Sequence, residues 1–459
     1  MATMDLMESE LQRLFAEGCD LLQTGKAERA LGCFQRAQRI APSNPTLYLY
    51  SGAALHDLQR FDEAVESYGK ALTVSPCMGE AHNNLGNSLI ALGRFAAAVD
   101  SFSKAITFLP LSPVPLAARA TALQALGKIA EAEADCRAAL TIAPDFASAH
   151  WNLALNLLLQ GRYLEGWSEY EWRWKKPDFT SPSRHTDIPL WNGTPLNGRT
   201  ILIHAEQGFG DAIQFVRYVL PVVERGGSVI VECHPELEPL VRSIEGIQDV
   251  VPFGGLLPHV SCQVPLLSLP RIFATTLQTI PSSGSYLAAP DDYRKKWQQM
   301  MPAATAGFRV GIAWAGKSYP DPLRSCRLRD FAPFQKIINT TFYSLQIGCK
   351  GEQTDLPDLL LIDMTEEIHD FADTAALIEQ LDLVISIDTA VAHLAGALAK
   401  PVWLLLPFAP DWRWMREGID SPWYSTMRLF RQEIPQEWEQ VISIITNELI
   451  LLRQKKPLE

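Results

Sequence analysis

A chain of 459 residues is too long for a single hydrophobic core, so two or three domains are expected. With 47% hydrophobic and 20% charged residues it has the composition of a soluble globular protein, and a net charge of −12 argues against nucleic acid or an anionic membrane surface as the main partner. The acidic opening MATMDLMESE has no apolar h-region, and no apolar run approaches the roughly 20 residues of a spanning helix, so neither a signal peptide nor a transmembrane segment is expected. Eight scattered cysteines with no C-x-x-C pair read as reduced structural thiols, which suits a cytoplasmic location.

The first third of the chain repeats itself. Prolines stand at Pro42, Pro76, Pro110 and Pro144, each 34 residues from the next. Two alanine columns keep the same step: Ala30, Ala64, Ala98, Ala132 and Ala37, Ala71, Ala105, Ala139. This period, with Gly, Ala and Pro at fixed offsets, is the mark of tetratricopeptide repeats, helix–turn–helix units that stack into a solenoid. In each unit a small residue (Gly18, Gly52, Gly86, Ala120) marks where the first helix crosses the second, and Phe34, Tyr68, Phe102 and Cys136 stand opposite. The turns carry Gly25, Gly93, Gly127 and Gly161, with Gln59 in the remaining slot. A fifth unit opens near Ala147 and decays through YLEGWSEYEWRW, whose tryptophans are expected to glue the last repeat to the next domain. The solenoid is assigned to residues 1–175.

Residues 176–198 turn to Pro, Ser, Asn, Gly and Thr and read as a linker. The period then changes. ILIHAE reads as a strand, residues 212–225 as a helix, SVIVEC and DVVPF as further strands. A second series runs from RVGIAWAG through TFYSLQ, LLLIDM, the helix TAALIEQL, LDLVISI, the helix VAHLAGALA and PVWLLLP, with a helical tail over 437–454. The predicted fold class is therefore α + α/β: a repeat α-solenoid followed by a two-lobed, GT-B-like pair of Rossmann-like α/β domains. The lobes are assigned to residues 199–300, on the acceptor side, and 301–459, on the donor side.

Three segments carry chemistry. In LDLVISIDTAVAHLAGALA a strand ends at Asp388-Thr389 and a helix starts at once, with Thr389 expected as its N-cap. The helix end at Ala390 offers N–H groups and a positive dipole to a pyrophosphate, and His393 stands one turn further on, able to donate to a phosphate oxygen. The bland alternatives are a His buried at a lobe interface and an Asp that only caps. In HAEQGFGDAIQF a strand runs into Gln207, Gly208 and Gly210, assigned to the acceptor side, and then Asp211, either a helix cap or a general base. In GIAWAGKSYPDPLRSCRL, Gly316 sits in a loop beside Lys317, Arg324 and Arg327, any of which could offset a leaving diphosphate. No convincing D-x-D metal loop is present, so no metal and no cofactor beyond a nucleotide-sugar co-substrate are expected.

The stretch from about Thr200 to Gln432 resembles the ADP-heptose:lipopolysaccharide heptosyltransferase family and its relatives fused to tetratricopeptide repeats. The resemblance implies a two-lobed, metal-independent, inverting transferase. It carries the proposed base onto Asp211 in GFGD, and the donor-diphosphate motif onto Asp388, Thr389 and His393 in DTAVAHLAGA. The family's basic residue corresponds best to Arg324, seven before Phe331, where Lys is the commoner residue. Thr365, in TEEIHDFADTAALIEQ, falls near the nucleotide on the same grounds. The chain departs from the family after SLQ, where relatives often have Lys and this sequence has Ile347 and reaches Lys350 only later.

The order of repeats then transferase also resembles the protein O-GlcNAc transferase family, in which an asparagine ladder grips the acceptor backbone. Asn84 and Asn152 match that ladder, whereas Tyr50 and Ala118 break it. The resemblances together imply a glycosyltransferase whose protein acceptor is held on the concave face of the repeats. The alternatives are a non-catalytic repeat scaffold with a degenerate transferase-like region, a transferase directed at a glycan or lipopolysaccharide, and a sugar-nucleotide epimerase.

Overall fold

The computed structural model describes residues 2–281, 284–301, 307–316, 322–348 and 359–455. The chain divides into two compact units, Met1–Asn156 and Leu157–Glu459. The first is built from helical hairpins: α1 (Ala2–Gln23), α2 (Ala27–Ile40), α3 (Pro45–Asp57), α4 (Phe61–Val74), α5 (Gly79–Ala91), α6 (Phe95–Phe108), α7 (Val114–Ala125), α8 (Ile129–Ile142) and α9 (Ala147–Leu159), whose last turn belongs to the second unit.

The periodic residues do the work their spacing implies. A Cβ added at Gly18, Gly52 or Gly86 would stand 2.5, 2.5 or 2.6 Å from the ring of Phe34, Tyr68 or Phe102. Each ring is wholly buried, so the small residue sets how closely the two helices of a hairpin approach. Gly25, Gly93 and Gly127 adopt positive φ near 70°, and Gln59 adopts φ 60° in the slot without glycine. The periodic prolines have a second use. Tyr48 Oη donates to the Pro42 carbonyl at 2.9 Å, His82 Nε2 to that of Pro76 at 2.9 Å, and His150 Nε2 to that of Pro144 at 2.8 Å. Since a carbonyl only accepts, both imidazoles carry their proton on Nε2.

The second unit opens with α10 (Tyr163–Tyr170) and a 3-10 turn over Glu171–Lys175. Tyr163, Trp167, Tyr170 and Arg173 of this aromatic stretch are buried. Arg173 is held by Glu206 at 2.8 Å, Glu171 at 2.9 Å and the Ser268 hydroxyl at 2.8 Å, so a buried cation is matched by carboxylates rather than left in an apolar core. The linker stretch is not a free tether. Trp191 N–H donates to the Gln263 carbonyl and Gln263 N–H to that of Pro189, so residues 189–191 lie along a sheet edge.

The chain then forms β1 (Thr200–His204), α11 (Phe209–Phe215), α12 (Val219–Val223), β2 (Ser228–Cys233), α13 (Glu238–Val241), β3 (Ile247–Pro252), β4 (Cys262–Pro265), α14 (Leu269–Ile272) and α15 (Asp291–Met300). Next come β5 (Phe308–Ala313), β6 (Thr340–Ser344), β7 (Leu361–Asp363), α16 (Phe371–Glu379), β8 (Leu383–Ile387), α17 (Ala390–Ala397), β9 (Val402–Leu406), β10 (Met427–Arg431) and α18 (Trp438–Lys455). One sequence expectation falls short, and two strands are absent from the sequence reading. The helix expected over 212–225 is broken by a 3-10 turn at Val216–Tyr218, because Pro221 has no N–H and its ring crowds the carbonyl of residue 217. Strands β4 and β10 are too short or too charged to stand out from their flanks.

Among the described residues the strands β1 to β10 pair with one another in parallel, in the orders β3-β2-β1-β4 and β10-β9-β8-β5-β6-β7. Buried runs such as Ile201–Ile203 and Leu404–Leu406 suit sheets covered on both faces. In the first sheet the chain moves outward from β1 through β2 and β3, then returns to the other side of β1. In the second it moves out from β5 through β6 and β7, then returns beside β5 at β8. Each sheet thus has one point where the strand order reverses, β1/β4 and β5/β8, and the crevice outside the carboxyl ends of such strands is where ligands bind in open α/β sheets. Helix α18 covers the second sheet through Val441, Ile445 and Leu449, packed against Phe331, Phe334 and Leu405.

Gly86→Ala should destabilise the protein by about 1–3 kcal/mol, because its new methyl meets the Phe102 ring. Gly69→Ala, in a helix with nothing within 4 Å, should stabilise it by up to about 1 kcal/mol. Chemical denaturation of the full chain, followed by circular dichroism, reads both shifts.

Candidate functional site

Both motifs singled out in the sequence stand at the reversal points. Gly208, Gly210 and Asp211 follow β1; Gly316 and Arg324 follow β5; Asp388, Thr389 and His393 follow β8. The two motifs also meet. A Cβ at Gly210 would lie 2.9 Å from His393 Cδ2 and 3.7 Å from Ala390 Cα, so glycine there lets α11 approach the start of α17.

Asp211 uses both carboxylate oxygens. Oδ2 accepts from Gly208 N at 3.0 Å, the capping role, and Oδ1 pairs with the Arg413 guanidinium. Arg413 lies in the 3-10 turn Trp412–Trp414 that follows β9. It also donates to Asp411 Oδ1 at 2.9 Å and, through Nε, to Gln214 Oε1 at 2.6 Å, and its guanidinium stacks 4.4 Å from the Trp412 ring. Burial pushes the Asp211 carboxyl above its ordinary range, and the Arg413 charge and Gly208 N–H pull it back. The Gln214 amide nitrogen is buried with no hydrogen-bond partner.

Backbone strain brackets this pair. Gln207, one residue before the Gly208 cap, has φ 63°, and Met415, two after Arg413, has φ 57° and ψ 175°, conformations that favour glycine. Arg431 holds the second loop by donating to the carbonyls of Trp414 at 2.7 Å and Met415 at 3.0 Å. Ser181 Oγ holds the first, accepting from Gln207 N at 2.8 Å, and the Gln207 side chain reaches the Tyr170 hydroxyl.

On the β8 side, Asp388 is mostly buried, and burial together with the neighbouring Asp411 pushes its carboxyl up to about 6 against the opposing pull of Arg324 and Arg413. His393 is the buried interface residue of the bland alternative. Its ring stacks on Trp414 at 5.2 Å, Nδ1 meets the Tyr424 hydroxyl at 2.9 Å, and Nε2 lies 3.7 Å from Asp388 Oδ1. Burial and the charges of Arg413, Arg217 and Arg324 hold it neutral, well below its ordinary range. Thr389 stands at the expected N-cap position, but its hydroxyl turns to Ser386 at 3.1 Å and makes no cap bond to the start of α17. Arg324 packs against Gly316, where a Cβ would meet Nε at 2.9 Å, and its charge reaches both Asp388 and His393. Arg327 is exposed at the start of the 3-10 helix Leu328–Lys336.

Other predicted residues lie apart. Thr365 follows β7, three strands from β8, and its hydroxyl donates to Asp363 at 2.7 Å. Asn84 and Asn152 are in the helical unit. The Asn152 amide donates to the Ala117 carbonyl at 2.9 Å and the Thr121 hydroxyl at 3.1 Å, which ties α9 to α7, and Asn84 Oδ1 accepts from Asn83 at 3.3 Å. Lys317 and Lys350 are outside the described residues. Among the described residues no group of three or more His, Cys, Asp or Glu could hold a metal ion.

Sequence reasoning missed Arg413, Asp411, Gln214 and Arg217. The last is nearly buried and donates to the Trp423 carbonyl at 2.8 Å and the Tyr286 hydroxyl at 3.0 Å, bracing the 3-10 turn after α11 against the segment that carries Tyr424. A signal existed in PDWRW, charged and aromatic residues placed just past the carboxyl end of an apolar strand. A recess of about 460 Å³ opens at the β1/β4 reversal, lined by Trp174, Arg184, His204, Gln263 and Ser268 among others. Burial pushes His204 down to about 4, so it faces this recess as a neutral ring bonded to Gln263.

The chain is thus a tetratricopeptide-repeat solenoid joined to a parallel-sheet α/β region. Residues 15–76, 57–113 and 117–170 match the tetratricopeptide repeat family, whose stacked hairpins serve as protein-interaction scaffolds. A curated relative, Protein FlbA of Caulobacter vibrioides (strain ATCC 19089 / CIP 103742 / CB 15), is 28% identical, covering 69% of this chain and 58% of its own length. The chain therefore spans somewhat more than half the length of the curated relative it matches, and the likeness takes in more of the chain than the repeats occupy. Among solved structures, MamA is 19% identical over 34% of this chain and 91% of its own, with a TM-score of 0.32. PilW, a type IV pilus biogenesis factor, is 23% identical over 35% and 76%, with a TM-score of 0.34. The pilF protein of Pseudomonas aeruginosa is 20% identical over 36% and 76%, also at 0.34. No helix among the described residues is long and apolar enough to cross a membrane.

The raised Asp388 carboxyl makes a signed prediction. Its proton is held to higher pH in the folded state than in the unfolded, so between about pH 4 and about pH 6 the folded state binds more protons and stability falls as pH rises. Asp388→Asn removes that term. Relative to the parent, the variant should gain stability as pH is raised through this window, and thermal unfolding at pH 4 and pH 6.5 measures the difference.

Proposed function

We propose that the protein is an inverting, metal-independent glycosyltransferase that uses a nucleotide-diphosphate sugar, with the two sheets as the lobes of a GT-B-like fold. The observation that carries this reading is the meeting of Gly210-Asp211 with the Asp388–His393 turn, each at the reversal point of its own parallel sheet. The diphosphate would lie against the uncapped start of α17, with Arg324 offsetting its charge. Asp211 would take the proton of the acceptor hydroxyl as its oxygen attacks the anomeric carbon. The bond from that carbon to the diphosphate oxygen breaks, and the nucleoside diphosphate leaves with the electron pair. The repeats would present a protein acceptor, a surface or flagellar protein being one candidate, and the cytoplasm is the compartment that suits such a donor.

The ion pair on Asp211 favours a second reading, a repeat scaffold whose α/β region does no chemistry, because a carboxylate held by a guanidinium is a weak base. Sugar transfer separates the two. The parent should label an acceptor, or slowly hydrolyse the donor, with one member of a panel of UDP-, GDP-, ADP- and CMP-sugars, and that donor should raise the melting temperature. Asp211→Ala should lower the rate by a factor of about 100 or more while the donor still binds. Equal rates for parent and variant would end the assignment of the base, and no turnover of any donor would favour the scaffold.

A further inference from the structure

We propose that Arg413 is the receptor for the donor's anionic group, and that Asp211 occupies it until that group arrives and frees the carboxylate. This rests on the transferase reading above and adds what that reading lacks, a way for an ion-paired Asp211 to become a base.

Charge accounting leads to it. Around Arg413 and Arg324 stand three carboxylates, those of Asp211, Asp388 and Asp411, so both guanidiniums already have anionic neighbours. A diphosphate that takes up Arg413 competes there with the carboxylates that hold it. Asp411 is local to Arg413, accepting from its backbone N–H at 3.0 Å as well as from its side chain, and stays with its own turn. Of the three carboxylates Asp211 alone reaches Arg413 from the other sheet, and its second oxygen keeps the Gly208 N–H when the first lets go.

A second observation points to a missing ligand. Gln214 gives its oxygen to Arg413 Nε, while the nitrogen of the same buried carboxamide has no partner. A buried unpaired donor beside a guanidinium suits an incoming oxyanion, which would accept from both. The strained Gln207 and Met415 stand at the two ends of the contact, where backbone held away from its preferred state gives a pair that can open.

The test uses inorganic pyrophosphate and the full chain, with binding measured by calorimetry. Asp211→Asn keeps an acceptor for Gly208 N–H but removes the competing charge, and should bind pyrophosphate about tenfold more tightly than the parent. Arg413→Gln should bind at least tenfold more weakly. The double variant should bind no better than Arg413→Gln, because the gain acts through Arg413. Equal or weaker binding by Asp211→Asn overturns the proposal even if Arg413→Gln fails to fold. Parent-like binding by folded Arg413→Gln overturns it while leaving the donor site intact. Absence of binding in the parent and Asp211→Asn alike removes the donor-site reading itself, and this inference with it.

Discussion

The Arg413 guanidinium is the constraint on which the site depends. It is nearly buried, and a buried cation must find anions and acceptors or cost several kcal/mol. It finds Asp411 in its own turn, but Asp211 and Gln214 are on the helix that follows the other sheet's first strand. Satisfying one side chain therefore fixes the β9 turn against α11. His393 then fits against Gly210, and Arg217 binds the Trp423 carbonyl from the 3-10 turn that follows α11. A different residue at 413 would change electrostatics and geometry together.

The parallel strand order gives that junction its meaning. Reversal of strand order at β1/β4 and β5/β8 leaves the ends of neighbouring strands free of a shared crossover, which opens a crevice at each point. The segments that enter these crevices carry Asp211, Arg324, Asp388 and His393. The strands beneath them are largely buried, β8 along its whole length and β1 from Ile201 to His204. Chemistry is thus confined to strand ends, and the helical repeats, whose surfaces hold amides such as Asn83, Asn84 and Asn87, contribute binding rather than reaction in the proposed scheme.

Much of this was legible in the sequence where the signal is local. The period of 34 residues predicts the hairpins because Gly86 and Phe102 must touch within one unit, and the turn residues, Gln59 included, adopt the positive φ their slot requires. Asp388-Thr389 and Gly208-Asp211 were visible as strand-to-helix junctions. What escaped depends on contacts between distant segments. Arg413 and Asp211 are 202 residues apart, and no local pattern marks the one as partner of the other. Likewise the burial of His393 comes from Tyr424 and Trp414, and the Thr389 hydroxyl leaves its cap for a Ser386 that the helix pattern does not weigh. The same holds for the linker stretch, where Trp191 is fixed by a hydrogen bond to Gln263, far along the chain.

If the α/β unit binds a nucleoside diphosphate at the junction of Asp211, Arg413 and the start of α17, crystals of the full chain soaked in turn with UDP, GDP and ADP should show it. The expected density places diphosphate oxygens within hydrogen-bond reach of the Arg413 guanidinium and the Ala390 N–H, with Asp211 turned away from Arg413. A nucleotide bound elsewhere, for instance in the recess beside Trp174 and His204, with the Asp211–Arg413 pair intact, would contradict it.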